Sequence, residues 1–305
     1  MKIAIIGAGS MGSIYAGKLS KANEVSLIGR HQDIVDLINS KGLKIDEDGL
    51  TNTYYPKAYV DSTTIGQVEL IILFVKSTDS KEALEQNKNL IDKNTYILTL
   101  QNGGGHQDLI KNYVSEDKII IGTTEDGGKR VATAHIARNG IGKTNIGFYN
   151  SKEIDKLNAI KEAFDLGGFK TYIYENINQL IWNKIFINTS LSATTALLKC
   201  ESGYLGESKN ALYLVKELLK EAVLVAQNLG LNADYNKEIE RVLNVIENSK
   251  DGITSICADI RNSRKTEVDT ISGYVIKTAK KLNIDTPIHN FVVNQIHALE
   301  NYKIK

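Results

Sequence analysis

The sequence predicts an α/β domain followed by an all-α domain, and two patterns along the chain support this prediction. The first half alternates short apolar runs with amphipathic helical stretches, the order expected of a parallel sheet with crossover helices. From Asn176 onward helical periodicity continues with few strand signals. Because 305 residues are many for one core, we expect two domains, at residues 1–175 and 176–305.

The N-terminus carries the most specific motif of the first half. Residues 3–6 form a buried strand pattern, glycines follow in G-x-G-x-x-G spacing, and a helical stretch comes next. In this order the first glycine permits a tight turn, the second a close approach of pyrophosphate, and the third close packing of helix on strand. The context favours a Rossmann-type dinucleotide-binding domain over a glycine-rich turn without a ligand. The expected cofactor-binding residues of the motif are Gly7, Gly9, Ser10, Met11 and Gly12.

The end of the second predicted strand, Glu24–Ile28, indicates which dinucleotide to expect. NAD-binding domains place an acidic residue there for the ribose 2′-hydroxyl, whereas this chain has Gly29-Arg30-His31. The Arg30 guanidinium suits a 2′-phosphate, so the sequence favours NADPH over NADH. An ordinary arginine facing solvent is the alternative.

Two further predicted strands, at residues 69–75 and 95–100, end on polar side chains. Ligands of open parallel sheets bind beyond the carboxyl ends of the strands, which predicts that Lys76 and Asn102 meet cofactor and substrate. The Asn102 amide suits a ribose hydroxyl or a substrate oxygen, although asparagine before glycine is also a common turn residue.

The remaining segments of the first half have simpler patterns. The polar residues 42–56 are interpreted as surface structure of little chemical content. The other predictions are a strand at 118–122, a β-hairpin at 133–147, a helix at 154–166 and a strand at 170–174.

A polar stripe marks the predicted helix at residues 179–198. Lys184, Asn188 and Ser192 are spaced i, i+4, i+8 and therefore share one face. The residues around them are so apolar that we expect a helix enclosed by protein, with this stripe lining a cleft rather than a solvated surface.

Further helices are predicted at residues 211–229, 235–246 and 253–261. Residues 266–269 then have the form of a capping box, which would place Glu267 in the first turn of the next helix. A carboxylate there is favoured by the helix dipole, and that stabilising role is the alternative to a functional one.

The composition argues against several classes of function. A net charge of +1 gives no case for nucleic acid or an anionic membrane surface, and the apolar runs are too short to span a bilayer. Two cysteines and five histidines without ligand spacing predict neither a disulfide framework nor a metal site. We expect a cytoplasmic protein with a small-molecule substrate. A homodimer is possible, but the sequence shows no heptad repeat or apolar patch that would identify its interface.

The chain resembles the ketopantoate reductase (2-dehydropantoate 2-reductase) family over essentially its whole length. The likeness rests on GAGSMG at the N-terminus, FVKS around Lys76, LQNG around Asn102, WNKIFIN, and SICADIRNSRKTEVDTISG. The pair W-x-K-x-x-x-N and R-x-T-E-x-D is much more specific than the glycine motif, which many oxidoreductases share.

This resemblance implies an active site between the two domains and hydride transfer from NADPH to the 2-oxo group of ketopantoate. Lys184 matches the catalytic lysine, the general acid to the forming alkoxide, and Glu267 matches the acidic residue that hydrogen-bonds the substrate. His106 is the alternative acid–base candidate. The matched substrate contacts are Asn102, Asn188 and Ser255, and the matched cofactor contacts are Arg30, Lys76 and Asn102.

The chain departs from the family pattern at Ser192 and Ser202, where many members carry asparagine. Serine still hydrogen-bonds but is shorter, so Ser192 stays a predicted substrate contact while another branched 2-oxo acid becomes an alternative substrate. An NADP(H)-binding regulator without turnover is a third hypothesis, and the presence of both Lys184 and Glu267 argues against it. Residues 124–132 have no interpretation from the sequence.

Overall fold

The computed structural model describes residues 1–302, which fold as two compact units. One unit comprises Met1–Gln101 and His106–Ile177, and the other comprises Asn102–Gly105 and the chain from Asn178 onward. The strands are β1 (Lys2–Ile6), β2 (Glu24–Ile28), β3 (Leu43–Glu47), β4 (Leu50–Tyr54), β5 (Lys57–Tyr59), β6 (Leu70–Leu73), β7 (Tyr96–Thr99), β8 (Ile119–Thr124), β9 (Gly127–Ala132), β10 (His135–Gly140), β11 (Lys143–Phe148) and β12 (Lys170–Ile173). The helices are α1 (Ser10–Leu19), α2 (Gln32–Lys41), α3 (Ser80–Gln86), α4 (Gln107–Ile110), α5 (Ile154–Leu166), α6 (Ile177–Leu198), α7 (Tyr204–Glu207), α8 (Lys209–Asn228), α9 (Tyr235–Asn248), α10 (Ser255–Arg261), α11 (Ser272–Lys281) and α12 (Pro287–Asn301).

The first unit is built on an eight-stranded sheet in the order β12-β11-β8-β7-β6-β1-β2-β5. Neighbouring strands are parallel except β8 and β11. The central strands are apolar on both faces because helices and loops cover both sides, so Ile3, Ile5 and Ile72 are fully buried. The predicted α/β fold of Rossmann type is confirmed, and the strand predictions at the centre of the sheet fall within one or two residues of the observed bounds.

A second, four-stranded sheet in the order β4-β3-β10-β9 was not expected. The prediction of surface structure for residues 42–56 holds for residues 48–53, which are exposed, and is wrong for β3: β3 and β4 form a hairpin in which Leu43 and Ile45 are fully buried. Asp48 and Gly49 form its turn, both with positive φ (52° and 77°), as a two-residue type I′ connection requires. An Asp-Gly pair between strands was the overlooked signal.

The predicted hairpin at residues 133–147 is also wrong. β10 pairs with β9 and β3 in the small sheet, whereas β11 pairs with β8 and β12 in the large one. The glycines between β10 and β11 therefore carry the chain from one sheet to the other. Alternation in the sequence identifies the strands but not their partners.

A chain of buried charges links helix α1 to strands β3 and β10 of the small sheet and to the connection between β8 and β9. Lys18 Nζ lies 2.6 Å from Glu47, whose other oxygen pairs with Arg138, and Arg138 Nε donates to Asp126 at 3.0 Å. Burial lowers the pKa of Lys18. Burial alone would raise the pKa of Glu47, but Lys18 and Arg138 outweigh that effect and lower it.

From Asn178 to Tyr302 the regular structure is entirely helical, which confirms the all-α second half. Its core forms where α6, α8, α10, α11 and α12 meet, around the buried side chains Ala193, Leu218, Ile256, Val268 and Ile296. Helix α8 begins after the Ser208 cap and is followed by Gly230 at φ 76°, the left-handed position that favours glycine.

The capping box predicted at residues 266–269 does not form. Thr266 Oγ1 still accepts from the Val268 amide at 3.2 Å, but the Thr266 amide donates to Glu300 of α12 at 2.7 Å rather than to Asp269. Hydrogen-bonded turns continue to Ile271 before α11 begins at Ser272. Glu267 thus lies in a turn ahead of the helix rather than in its first turn. The carboxylate that binds the Thr266 amide is therefore that of Glu300, 34 residues further along the chain.

Candidate functional site

The glycine motif of the first unit shows a different environment at each position. Gly7 has φ 117°, and a Cβ there would lie 2.7 Å from backbone atoms of Phe74 and Val75. A Cβ on Gly12 would overlap the carbonyl oxygen of Gly7, whereas a Cβ on Gly9 would have no atom within 4 Å. Packing therefore requires glycine at the first and third positions, and the second faces open space at the start of α1, as a phosphate-binding loop needs.

A cavity of about 670 Å³ opens beside this loop, a size typical of small-molecule sites. Its walls come from the ends of β1, β2 and β6 and from helix α3, so it lies at the carboxyl edge of the sheet. The predicted cofactor residues that line it are Gly7, Gly9, Arg30 and Lys76. Ser10, Met11 and Gly12 form the first turn of α1, which starts directly after Gly9.

The cavity mixes both signs of charge. Arg30, Lys76 and Arg130 supply cations, and Asp61, Asp79 and Glu82 supply carboxylates. Arg30 forms an ion pair with Asp79.

Sequence reasoning missed Arg130, which lies in the uninterpreted segment 124–132. Strand β9 of the small sheet carries Arg130 to the glycine loop, where Nη2 lies 3.4 Å from the carbonyl oxygen of Ala8. The two residues are 122 positions apart, so no local pattern could have joined them.

Helix α6 of the second unit is mostly buried, as its composition predicts. Trp182, Ile185 and Phe186 lie in the core, while Lys184 and Asn188 are half-buried on the polar face and Ser192 is buried. That this stripe lines a cleft stays a prediction.

A buried polar network fixes α6 next to Asn188. Thr189 Oγ1 lies 2.8 Å from Ser272 Oγ and 2.9 Å from His289 Nε2, and His289 Nδ1 lies 2.7 Å from Glu221. Burial alone would raise the pKa of Glu221, but hydrogen bonds from His289 and two backbone amides outweigh it and hold that pKa below its ordinary value. The network joins α6, α8, α11 and α12 through residues far apart in the chain, so periodicity could not reveal it.

The segment Asn102–Gly105 packs on the turn that carries Glu267. Thr270 Oγ1 lies 3.3 Å from the Asn102 carbonyl and 3.1 Å from that of Glu267, and the Thr270 carbonyl accepts from Gly104 N at 2.8 Å. A Cβ on Gly103 would overlap Thr270, and one on Gly104 would overlap the Tyr274 ring. This contact explains the run of glycines after Asn102, and it places the backbone carbonyls of Asn102 and Glu267 beside the same Thr270 hydroxyl.

Helix α12 holds the same turn from another side. His297 Nε2 lies 3.0 Å from Asp269, His297 Nδ1 lies 2.9 Å from Glu300, and Glu300 accepts from the Thr266 amide at 2.7 Å. Hydrogen bonding to Glu300 and Asp269 outweighs burial and raises the pKa of His297. These bonds fix Thr266 and Asp269, which lie one residue before and two residues after Glu267.

The other candidates occupy separate places. Ser255 is the exposed first residue of α10, next to the Thr254 cap. Ser202 is buried and donates to the Gly252 carbonyl at 3.0 Å. His106 is buried and immediately precedes α4.

Residues 1–302 contain neither a candidate membrane span nor a candidate metal site. No helix there is long and apolar enough to cross a membrane, and no group of three His, Cys, Asp or Glu side chains in that range could hold a metal ion.

Comparison with known proteins covers both units. The profile described as "Ketopantoate reductase PanE/ApbA" matches residues 3–151, and "Ketopantoate reductase PanE/ApbA C terminal" matches residues 176–300. The chain is 32% identical over 294 residues to a 2-dehydropantoate 2-reductase of Pyrococcus horikoshii, covering 96% of this chain and 95% of that one. It is 30% identical over 304 residues to the enzyme of that name from Streptococcus pyogenes, covering 98% of each.

A solved structure is similar to this chain over nearly its full length. The ternary structure of D-mandelate dehydrogenase with NADH and anilino(oxo)acetate superposes with a TM-score of 0.91 at 28% identity, covering 99% of each chain. Full-length matches at these identities, together with the glycine loop and its cavity, show that this chain belongs to the ketopantoate reductase family.

Proposed function

We propose that this protein reduces 2-dehydropantoate to (R)-pantoate with NADPH, as a step toward pantothenate and coenzyme A. The observation that carries the proposal is the full-length likeness to proteins named 2-dehydropantoate 2-reductase, at 32% and 30% identity. The presence of Lys184 and Glu267 at the matched positions supports turnover rather than a purely regulatory role.

The cavity of the first unit fits the dinucleotide. Gly9 leaves room for a pyrophosphate, the N-terminus of α1 supplies backbone N–H groups, and Lys76 adds a positive charge on the cavity wall. Arg30 follows β2 without an acidic residue before it, which supports a 2′-phosphate at that end. Ser10, Met11, Gly12 and Asn102 complete the proposed cofactor contacts.

A bound reduced nicotinamide supplies the hydride. As negative charge develops on the ketone oxygen, the Lys184 ammonium stabilises that charge and donates the proton. Glu267 accepts a hydrogen bond from the substrate, and the remaining substrate contacts are Asn102, Asn188, Ser192 and Ser255. Thr270 assists by fixing the backbone beside Asn102 and Glu267.

One assay tests this function directly. Purified protein is mixed with NADPH and 2-dehydropantoate, and the loss of absorbance of the reduced cofactor is followed. We expect consumption that depends on 2-dehydropantoate, and pantoate as the product. Cofactor binding without consumption of any 2-oxo acid would leave only the regulatory hypothesis.

Two observations support another 2-oxo acid as the alternative substrate. Ser192 is shorter than the usual asparagine, and the structural neighbour at 28% identity is a D-mandelate dehydrogenase bound to anilino(oxo)acetate. The same assay with phenylglyoxylate and branched 2-oxo acids separates the two. Faster turnover of one of these than of 2-dehydropantoate would assign the protein to the alternative substrate.

A further inference from the structure

Asp79 occupies an unexpected place in the dinucleotide cavity. It lies between Lys76 and helix α3, and its carboxylate pairs with Arg30, the residue proposed to meet the 2′-phosphate. Thr78 Oγ1 lies 3.1 Å from Asp79 Oδ1, and the Asp79 amide donates to the Lys76 carbonyl at 2.9 Å. The backbone of the turn after β6 therefore directs this carboxylate toward the end of β2.

The Arg30–Asp79 pair remains accessible to a ligand. The side chains are 67% and 36% exposed, so the pair is solvated and can rearrange at little cost in free energy. A ligand that enters the cavity at this end meets a cation and a carboxylate together, rather than a free guanidinium.

The two nicotinamide dinucleotides differ in how they respond to this pair. A 2′-phosphate must compete with the Asp79 carboxylate for Arg30 and then carries its own negative charge beside it. A ribose 2′-hydroxyl instead donates a hydrogen bond to a carboxylate, the role an acidic residue plays in NAD-binding domains.

From this arrangement we propose that Asp79 sets cofactor specificity by weakening NADPH binding selectively, so that the protein accepts NADH as well. The inference rests on the proposed function, because it assumes a nicotinamide dinucleotide in this cavity. Asp61 and Glu82 add further negative charge to the same walls. The D-mandelate dehydrogenase that shares this architecture was solved with NADH.

Direct binding measurements test the proposal without relying on turnover. Dissociation constants of NADPH and NADH are measured by calorimetry for the wild type and for Asp79→Asn, which keeps the size of the side chain and removes its charge. We expect NADPH to bind about tenfold more tightly to the variant, and NADH to bind equally or more weakly. Arg30→Ala should reduce NADPH affinity much more than NADH affinity.

Glu85→Gln is the matched control. Glu85 lies on α3, the helix that follows Asp79, and forms an exposed ion pair with Lys88 at 2.6 Å, away from the cavity lining. The Glu85→Gln variant should keep the dissociation constants of NADPH and NADH within about twofold of the wild-type values, since solvent screens a charge at that distance from the cavity. An unchanged NADPH to NADH ratio in Asp79→Asn, or an equal shift of both, overturns the proposal. Because binding is the readout, this result is independent of whether 2-dehydropantoate is reduced.

Discussion

Gly9 and Gly12 lie three residues apart in the same motif and meet opposite surroundings. A methyl group on Gly12 would overlap the Gly7 carbonyl, whereas one on Gly9 would point into open space. We expect Gly12→Ala to lower the free energy of unfolding by about 3 kcal/mol through overpacking. Gly9→Ala should leave it within about 0.5 kcal/mol but weaken dinucleotide binding, because the methyl group takes the space of the pyrophosphate. Urea denaturation and calorimetry separate the two effects. Equal effects of both variants on stability would contradict this assignment.

Lys184 carries the proposed proton transfer. Lys184→Ala should lower kcat by a factor of about 10²–10⁴, the range expected for loss of a general acid, with the dinucleotide affinity unchanged. Lys209→Ala is the control, since Lys209 is an exposed lysine at the start of α8. An unchanged kcat in Lys184→Ala would remove this lysine from the mechanism and favour His106.

For single residues, roles that depend on neighbours in the sequence could be predicted, whereas contacts between residues far apart in the sequence could not. The glycine spacing and the end of β2 are short stretches whose neighbours in the chain indicate their role, and the predicted cofactor contacts Gly7, Gly9 and Arg30 all line the cavity. Arg130 and Asp79 enter the same cavity from other elements, and only the folded chain brings them to Arg30 or to the loop. The predicted roles of Lys184, Glu267 and Ser255 rest on the resemblance and remain to be tested.

Strand β10 carries a buried cation, Arg138, whose side chain is 1% exposed. Arg138 is buried between Asp126 and Glu47, so Arg138→Met leaves the buried Asp126 carboxylate without an ion-pair partner and leaves Glu47 paired with Lys18 alone. We expect a loss of about 3–5 kcal/mol in the free energy of unfolding by urea. Arg241→Met, which breaks a partly exposed pair with Glu238 on α9, should cost less than about 1 kcal/mol. Similar losses for the two variants would contradict the buried network.

We expect the contact between α12 and the turn before α11 to stabilise the fold more at low pH than at high pH. The pKa of His297 is raised in the folded protein by Glu300 and Asp269, so its protonated form stabilises the fold below its unfolded pKa, and this stabilisation is lost as pH rises through the folded pKa. His297→Gln should therefore lower Tm more at about pH 5.5 than at about pH 9. An equal loss of Tm at both pH values would show that the charge of His297 contributes nothing.

Element type was easier to predict than element partners. The apolar runs of the central strands and the helix Ile154–Leu166 were identified because their periodicity is local. The predicted pairing of β10 with β11 was wrong, because the same alternating pattern occurs in strands of two different sheets. The capping box does not form because the Thr266 amide donates to Glu300 instead of Asp269, and no short window of the sequence contains that contact.

Over the whole molecule, the order of patterns along the chain was enough to predict an α/β half and a helical half. Contacts then divide the chain in a way that sequence order cannot show, since Asn102–Gly105 groups with the helical unit although it follows strand β7. Thr270 and Tyr274 account for this grouping, because their packing requires the glycines of that segment.

The central claim is that a hydride passes from a reduced nicotinamide to carbon 2 of a 2-oxo acid on this protein. The most direct measurement uses NADPH deuterated at both positions of the dihydropyridine carbon 4, with 2-dehydropantoate as substrate and mass spectrometry of the product. We predict pantoate with deuterium at carbon 2, formed by the wild type and much more slowly by Lys184→Ala. Pantoate without deuterium, or no reduced product from any 2-oxo acid, would contradict the claim.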